Sequence, residues 1–112
     1  MQATLYHNPK CGTSRTVLQM IREAGIEPII IDYMKTPLSV AQLLDLAEKL
    51  GDAKALLRTK ESLAAELSLL DAADDVILAA IEKHPGLLNR PVMVTAKGAK
   101  ICRPAALALT LL

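Results

Sequence analysis

The chain has no phenylalanine, no tryptophan and only two tyrosines, Tyr6 and Tyr33, among its 112 residues. Its core must therefore be built from Leu, Ile, Val, Ala and Met, which share a composition that is 52% hydrophobic. Charge of one sign is also lacking. A formal net charge of +1 argues against a polyanion binder, since nucleic-acid domains carry a marked basic excess. No apolar run approaches the length that crosses a bilayer, and Met1 is followed by strand-like residues rather than a signal peptide. Cysteine is scarce too: Cys11 and Cys102 alone make no disulfide framework, so a reducing cytoplasm with two free thiols is expected. At this length a single domain over residues 1–112 is expected.

Periodicity orders the rest. Ala3–Tyr6 reads as a first strand, closed by the turn-prone His7-Asn8-Pro9. From Thr13 to Ala24 apolar residues recur at helical spacing, and Gly25 supplies a stop. Ile29-Ile30-Ile31 is a β-branched run of the kind found in strands buried on both faces. Strand, helix, strand makes a βαβ unit with a parallel pair. Ser39 with Gln42 forms a capping box that opens a further helix, ended by Gly51. Helical patterns continue over Ala53–Arg58, Ser62–Leu70 and Asp74–His84, more than one crossover needs, so a helical insertion is expected at about 39–88. Val92–Val94 and Ala99–Cys102 read as a hairpin, and Pro104 opens a closing helix, Ala105 to Leu112. This order is that of an α/β, thioredoxin-like fold: a mixed four-stranded sheet flanked by helices, with the insertion between strands 2 and 3.

The chemistry gathers in Tyr6-His7-Asn8-Pro9-Lys10-Cys11-Gly12-Thr13-Ser14-Arg15. This stretch lies at the C-terminal end of the first strand, where open α/β sheets place their ligands. Cys11 stands just before a helix, whose unpaired N–H groups and dipole favour a thiolate. Gly12 removes bulk beside it, His7 and Lys10 can add positive charge, and Ser14 can donate a hydrogen bond. The same helix-start amides would hold an oxyanion. The bland alternatives are that Cys11 is a small buried hydrophobe and that His7 is merely solvated. Cys102 reads as core packing. A two-thiol oxidoreductase would have a cysteine where Ser14 stands, so no local partner is at hand; Cys102 is the other candidate within the chain, and a thiol from another molecule is expected to reset the sulfur.

Arg58, Arg90 and Arg103 each offer a planar fork that grips oxyanions, although singly each reads as a surface residue. Arg90 and Arg103 fall near opposite ends of the hairpin, so their convergence is not guaranteed. Arg90-Pro91 before a strand suggests a cis peptide bond. His84, Glu48, Lys49, Asp74 and Asp75 read as solvated faces and caps, and no residue is assigned to a metal.

Residues 6–15, with Leu56-Leu57-Arg58, Asn89-Arg90-Pro91-Val92 and Ile101-Cys102-Arg103-Pro104, resemble the signature of glutaredoxin-coupled arsenate reductases in order and spacing. The resemblance implies that Cys11 attacks arsenate or a similar oxyanion, held by Arg58, Arg90, Arg103 and the start of the helix at Gly12 and Thr13. His7 and Ser14 would keep the sulfur ionised, and Pro91 would be the cis-proline of the thioredoxin fold. It further implies glutathione as co-substrate, glutaredoxin as final reductant and no bound cofactor. The chain stops at Leu112, short of the longer C-terminal tail of well-studied members. Two other readings stand beside it. Cys-Gly-Thr-Ser also resembles the motif of monothiol glutaredoxins, which would need neither the insertion nor the three arginines. Thioredoxin-like regulators that bind RNA polymerase share the Arg-Pro strand entrance, but the full arginine set speaks against that role.

Overall fold

The computed structural model describes residues 1–112, which divide into two compact units: Met1–Thr36 with Arg90–Leu112, and Pro37–Asn89.

The first unit is built on four strands, β1 (Thr4–His7), β2 (Ile29–Asp32), β3 (Val92–Thr95) and β4 (Gly98–Ile101), in the order β2-β1-β3-β4. β1 and β2 run parallel, with His7 opposite Asp32. β3 is antiparallel to both of its neighbours, with Tyr6 opposite Val92 and Val92 opposite Ile101. The mixed sheet is the one expected from the sequence. β2 differs from expectation in its burial: Ile29 and Ile30 are 47% and 39% exposed. It is an edge strand, so the isoleucine run reflects β-propensity rather than coverage on both faces.

Helix α1 (Gly12–Glu23) joins β1 to β2. Gly25 takes a left-handed φ of 81° as the residue after the helix cap. Its N–H bonds Arg22 O, and that of Ile26 bonds Ile21 O, the paired bonds of a Schellman stop. Val17 and Ile21 of α1 pack with Leu5, Met93, Cys102, Ala108 and Leu111 in the core of this unit. The closing segment Ala105–Leu111 is a 3₁₀ helix rather than the expected α-helix. Side chains three apart eclipse in a 3₁₀ helix, and Ala108 and Leu111, three apart, are the two that it buries. Thr95 Oγ1 fixes its end by donating to Leu111 O at 3.0 Å.

The second unit is helical, with α2 (Val40–Leu50), α3 (Ser62–Glu66), α4 (Asp74–Lys83) and short 3₁₀ turns at Ala53–Leu56 and Pro85–Leu87. The capping box of α2 is present in full: Ser39 Oγ accepts from Gln42 N, and Gln42 Oε1 from Ser39 N. α3 stops well before the expected Leu70, because Ser68 adopts φ 57°. Leu69 N bonds Ala64 O and Ser68 N bonds Ala65 O, the same stop as after α1 but built without glycine. Backbone bonds from Arg58 N to Leu87 O and from Asn89 N to Leu56 O, each 2.7 Å, tie the ends of this unit around buried Leu56, Leu57, Leu87 and Leu88.

Candidate active site

β1 ends at His7, the chain turns through a bond from Cys11 N to Asn8 O at 3.0 Å, and α1 begins with Cys11 as its N-cap. The first helical bond, from Arg15 N to Cys11 O, leaves the earlier amides directed toward the sulfur side. The antiparallel registers then bring two arginines to the same edge. β3 starts beside the end of β1, and β4 ends beside the start of β3. Arg90 and Arg103 are thus neighbours at the open end of one hairpin, not at opposite ends, which corrects the sequence expectation. Arg103 Nη1 lies 3.8 Å from Cys11 Sγ and 3.4 Å from Arg90 O. The Arg90-Pro91 bond is cis, as is Arg103-Pro104, and Pro91 O accepts from Cys102 N at 2.9 Å.

Cys11 keeps 8% of its surface exposed, enough to meet a small anion. Burial pushes its thiol pKa up. The Ser14 N–H, the Arg90 charge, the Thr13 N–H and a hydrogen bond from Arg90 act the other way and prevail, so the pKa lies below the ordinary value. The two amides work as aligned dipoles at the helix start, as no cap hydrogen bond closes on the cysteine side chain. A Cβ placed on Gly12 would meet only Arg15 Nη2, at 3.7 Å.

His7 and Ser14 stand beside the strand-to-helix turn and bond to each other. His7 Nδ1 and Ser14 Oγ are 2.6 Å apart, and the same hydroxyl accepts from Asn8 N at 3.1 Å. The Ser14 hydroxyl is therefore spent on His7 and the loop, and Ser14 reaches the sulfur through its backbone N–H instead. Nor does His7 bring positive charge. Burial is the main cause that holds its pKa below the ordinary value, Asp32 opposes this, and Arg15 and Arg22 add to it. Sequence reading overlooked Asn8 N–H and Arg15, whose Nη1 donates to Pro9 O at 2.9 Å and braces the loop. Only the spacing of Arg15 after Cys11, one helical turn along, would have hinted at it.

Arg58 lies in the second unit, where its Nη1 pairs with Glu61 Oε2 at 3.1 Å. Cys102 is fully buried in the core of the first unit, and burial pushes its thiol pKa up to about 11. No group of three or more His, Cys, Asp or Glu side chains is placed to hold a metal, and no helix is long and apolar enough to cross a membrane.

A mixed sheet carrying one activated sulfur at the strand-to-helix turn, opposite an X-Pro strand entrance, defines a thioredoxin-like thiol protein. Residues 6–110 match the model of the ArsC family, and the chain belongs to that family. It is 46% identical over 112 residues to an arsenate reductase of Escherichia coli, covering 97% of this chain and 79% of that one. To the arsenate reductase ArsI2 of Synechocystis sp. it is 48% identical over 112 residues, or 96% of this chain and 79% of the relative. The solved arsenate reductase from Vibrio cholerae superposes with a TM-score of 0.94 at 39% identity, covering 100% of this chain and 98% of that one.

Proposed function

We propose that the protein is an arsenate reductase acting through a covalent adduct on Cys11. The observation that carries this reading is a reachable, thiolate-favouring sulfur beside Arg90 and with Arg103 Nη1 3.8 Å away. The thiolate attacks arsenic, an S–As bond forms, and one oxygen departs as water after protonation. Charge building on the remaining oxygens meets the guanidinium forks of Arg90 and Arg103 and the amides at Gly12 and Thr13. The family resemblance extends the grip to Arg58 and makes Pro91 the cis-proline of the thioredoxin fold.

The sulfur is reset by a second thiol. Cys102 is buried and protonated, which leaves an external thiol, and glutathione is the one proposed. Its thiolate attacks Cys11 Sγ, an S–S bond forms, and the S–As bond breaks. The electron pair of that bond stays on arsenic, which falls from the +5 to the +3 state and leaves as arsenite. Glutaredoxin then reduces the mixed disulfide, in keeping with a reducing cytoplasm and with no bound cofactor. Residues 1–112 are proposed to act together as one reductase domain.

The test is arsenate-dependent NADPH oxidation coupled through glutathione, glutaredoxin and glutathione reductase. Turnover in the wild type and none in Cys11→Ser is expected. Turnover with disulfide substrates but none with arsenate would make the protein a general monothiol oxidoreductase instead.

A further inference from the structure

The first unit also carries a cleft, lined up to the residue before Cys11, to which nothing above gives a role. It measures about 240 Å³ and is bounded by Asn8, Pro9, Lys10, Asp32, Met34 and Lys35. Its walls are the loops leaving β1 and β2, which emerge at the same end because the parallel register sets His7 opposite Asp32. Lys10 directly precedes Cys11, so one wall ends at the residue whose Cα is a single step, about 3.8 Å, from the Cys11 Cα.

Both walls are held in shape. Asn8 Oδ1 accepts from Lys10 N at 3.0 Å, and Arg15 Nη1 holds Pro9 O. Across the cleft, Asp32 Oδ1 accepts from Met34 N and Lys35 N. Pro9 and Met34 offer apolar surface, and Met34 is 48% exposed. Each wall includes the stem of one lysine, and neither Lys10 nor Lys35 takes part in an ion pair. Two lysines against Asp32 leave one positive charge in excess, matched to one carboxylate.

The sheet order gives this cleft its meaning. β3 and β4, which carry the arginines, lie on one side of β1, whereas β2 lies on the other. Displacement at a sulfur atom is in line: the entering thiolate must approach opposite the bond that breaks. An oxyanion held from the arginine side therefore calls for a thiol delivered from the β2 side.

We propose that this cleft seats the co-substrate thiol, with Lys10 and Lys35 clamping a carboxylate of a small anionic thiol of the glutathione class. The proposal rests on the reductase reading for its biological use, but its test does not depend on arsenate. Cys11 exchanges with disulfides directly, so its rate with oxidised glutathione is compared with its rate with neutral hydroxyethyl disulfide. The neutral reagent corrects for any change in the sulfur itself. Replacing Lys10→Ala and Lys35→Ala should each lower the ratio of the two rates about 3-fold, and both together about 10-fold. The paired Lys10→Arg and Lys35→Arg variant should restore it. A ratio unchanged in the double alanine variant, or equal losses with both disulfides, would overturn the proposal. A ratio that falls as expected in a protein that never reduces arsenate would uphold the cleft and remove the reductase reading.

Discussion

Cys11 and Cys102 occur in one unit of one small chain, yet they are opposite kinds of sulfur. Both lose solvent on folding, and burial acts on both to favour the neutral thiol. At Cys11 that effect is overcome by two helix-start amides and by Arg90. At Cys102 only Lys100 opposes it, weakly, and the thiol donates to Lys100 O at 3.8 Å. The difference is one of location in the fold: the strand-to-helix turn directs peptide dipoles at whatever stands there, whereas the core of leucine, valine and methionine directs none.

Removing the sulfurs one at a time gives the widest separation. Cys11→Ser should cut arsenate turnover by roughly 10⁴-fold or more, the scale for loss of a nucleophile, while Cys102→Ala should leave kcat within about 2-fold, since that sulfur touches no substrate. A comparable loss in Cys102→Ala, measured in the coupled assay on folded protein, would erase the contrast.

Next in size is Arg90→Lys, which keeps the charge but loses the fork. We expect kcat/KM for arsenate to fall about 10²-fold, in the range for losing one preorganised donor at a developing oxyanion. The midpoint of Cys11 alkylation against pH should rise at the same time, because the planar donor beside the sulfur is gone.

The pH dependence of stability separates the sulfurs further. Cys102 has a folded pKa raised from 9.0 to about 11. Its contribution is thus complete below the ordinary thiol value and is lost as pH climbs through that window. The loss should be about 2–3 kcal/mol, seen as the difference between wild type and Cys102→Ala in urea unfolding. Cys11, with its pKa depressed, has the opposite sign: it favours the fold above the ordinary thiol value, and that contribution fades as pH falls.

The smallest effect distinguishes hydroxyl from amide at Ser14. Ser14→Ala strands Asn8 N–H and His7 Nδ1, so it should destabilise by about 1–3 kcal/mol. It should hardly move the alkylation midpoint of Cys11, because the backbone N–H remains. A large shift would return the hydroxyl to the sulfur.

What the sequence disclosed was whatever is encoded locally. The Ser39–Gln42 capping box, the Gly25 stop and the hairpin around Ala96-Lys97 are spelled out by residues a few positions apart, and each formed as expected. The sulfur was legible for the same reason, since a cysteine at a helix start carries its own dipoles. Features set by tertiary context were not. Ile29-Ile30 looks the same in sequence whether its strand is central or at an edge. Ser68 ends α3 in a conformation normally announced by glycine. The closing segment has helical composition, and its 3₁₀ form follows from burying Ala108 and Leu111 together. The meeting of Arg90 and Arg103 follows from antiparallel pairing, which had to be drawn out in space before the two ends became one.

That pairing makes the two-residue turn at Ala96-Lys97 a ruler for the reactive edge. Thr95 is held opposite Gly98, and every pair down to Val92 and Ile101 inherits its alignment from there. The turn stands about 20 Å of extended chain from either arginine and touches nothing that reacts. Yet one residue inserted into it would slip one strand against the other and turn alternate side chains to the wrong face. The two guanidinium groups would then part company without either arginine having been changed.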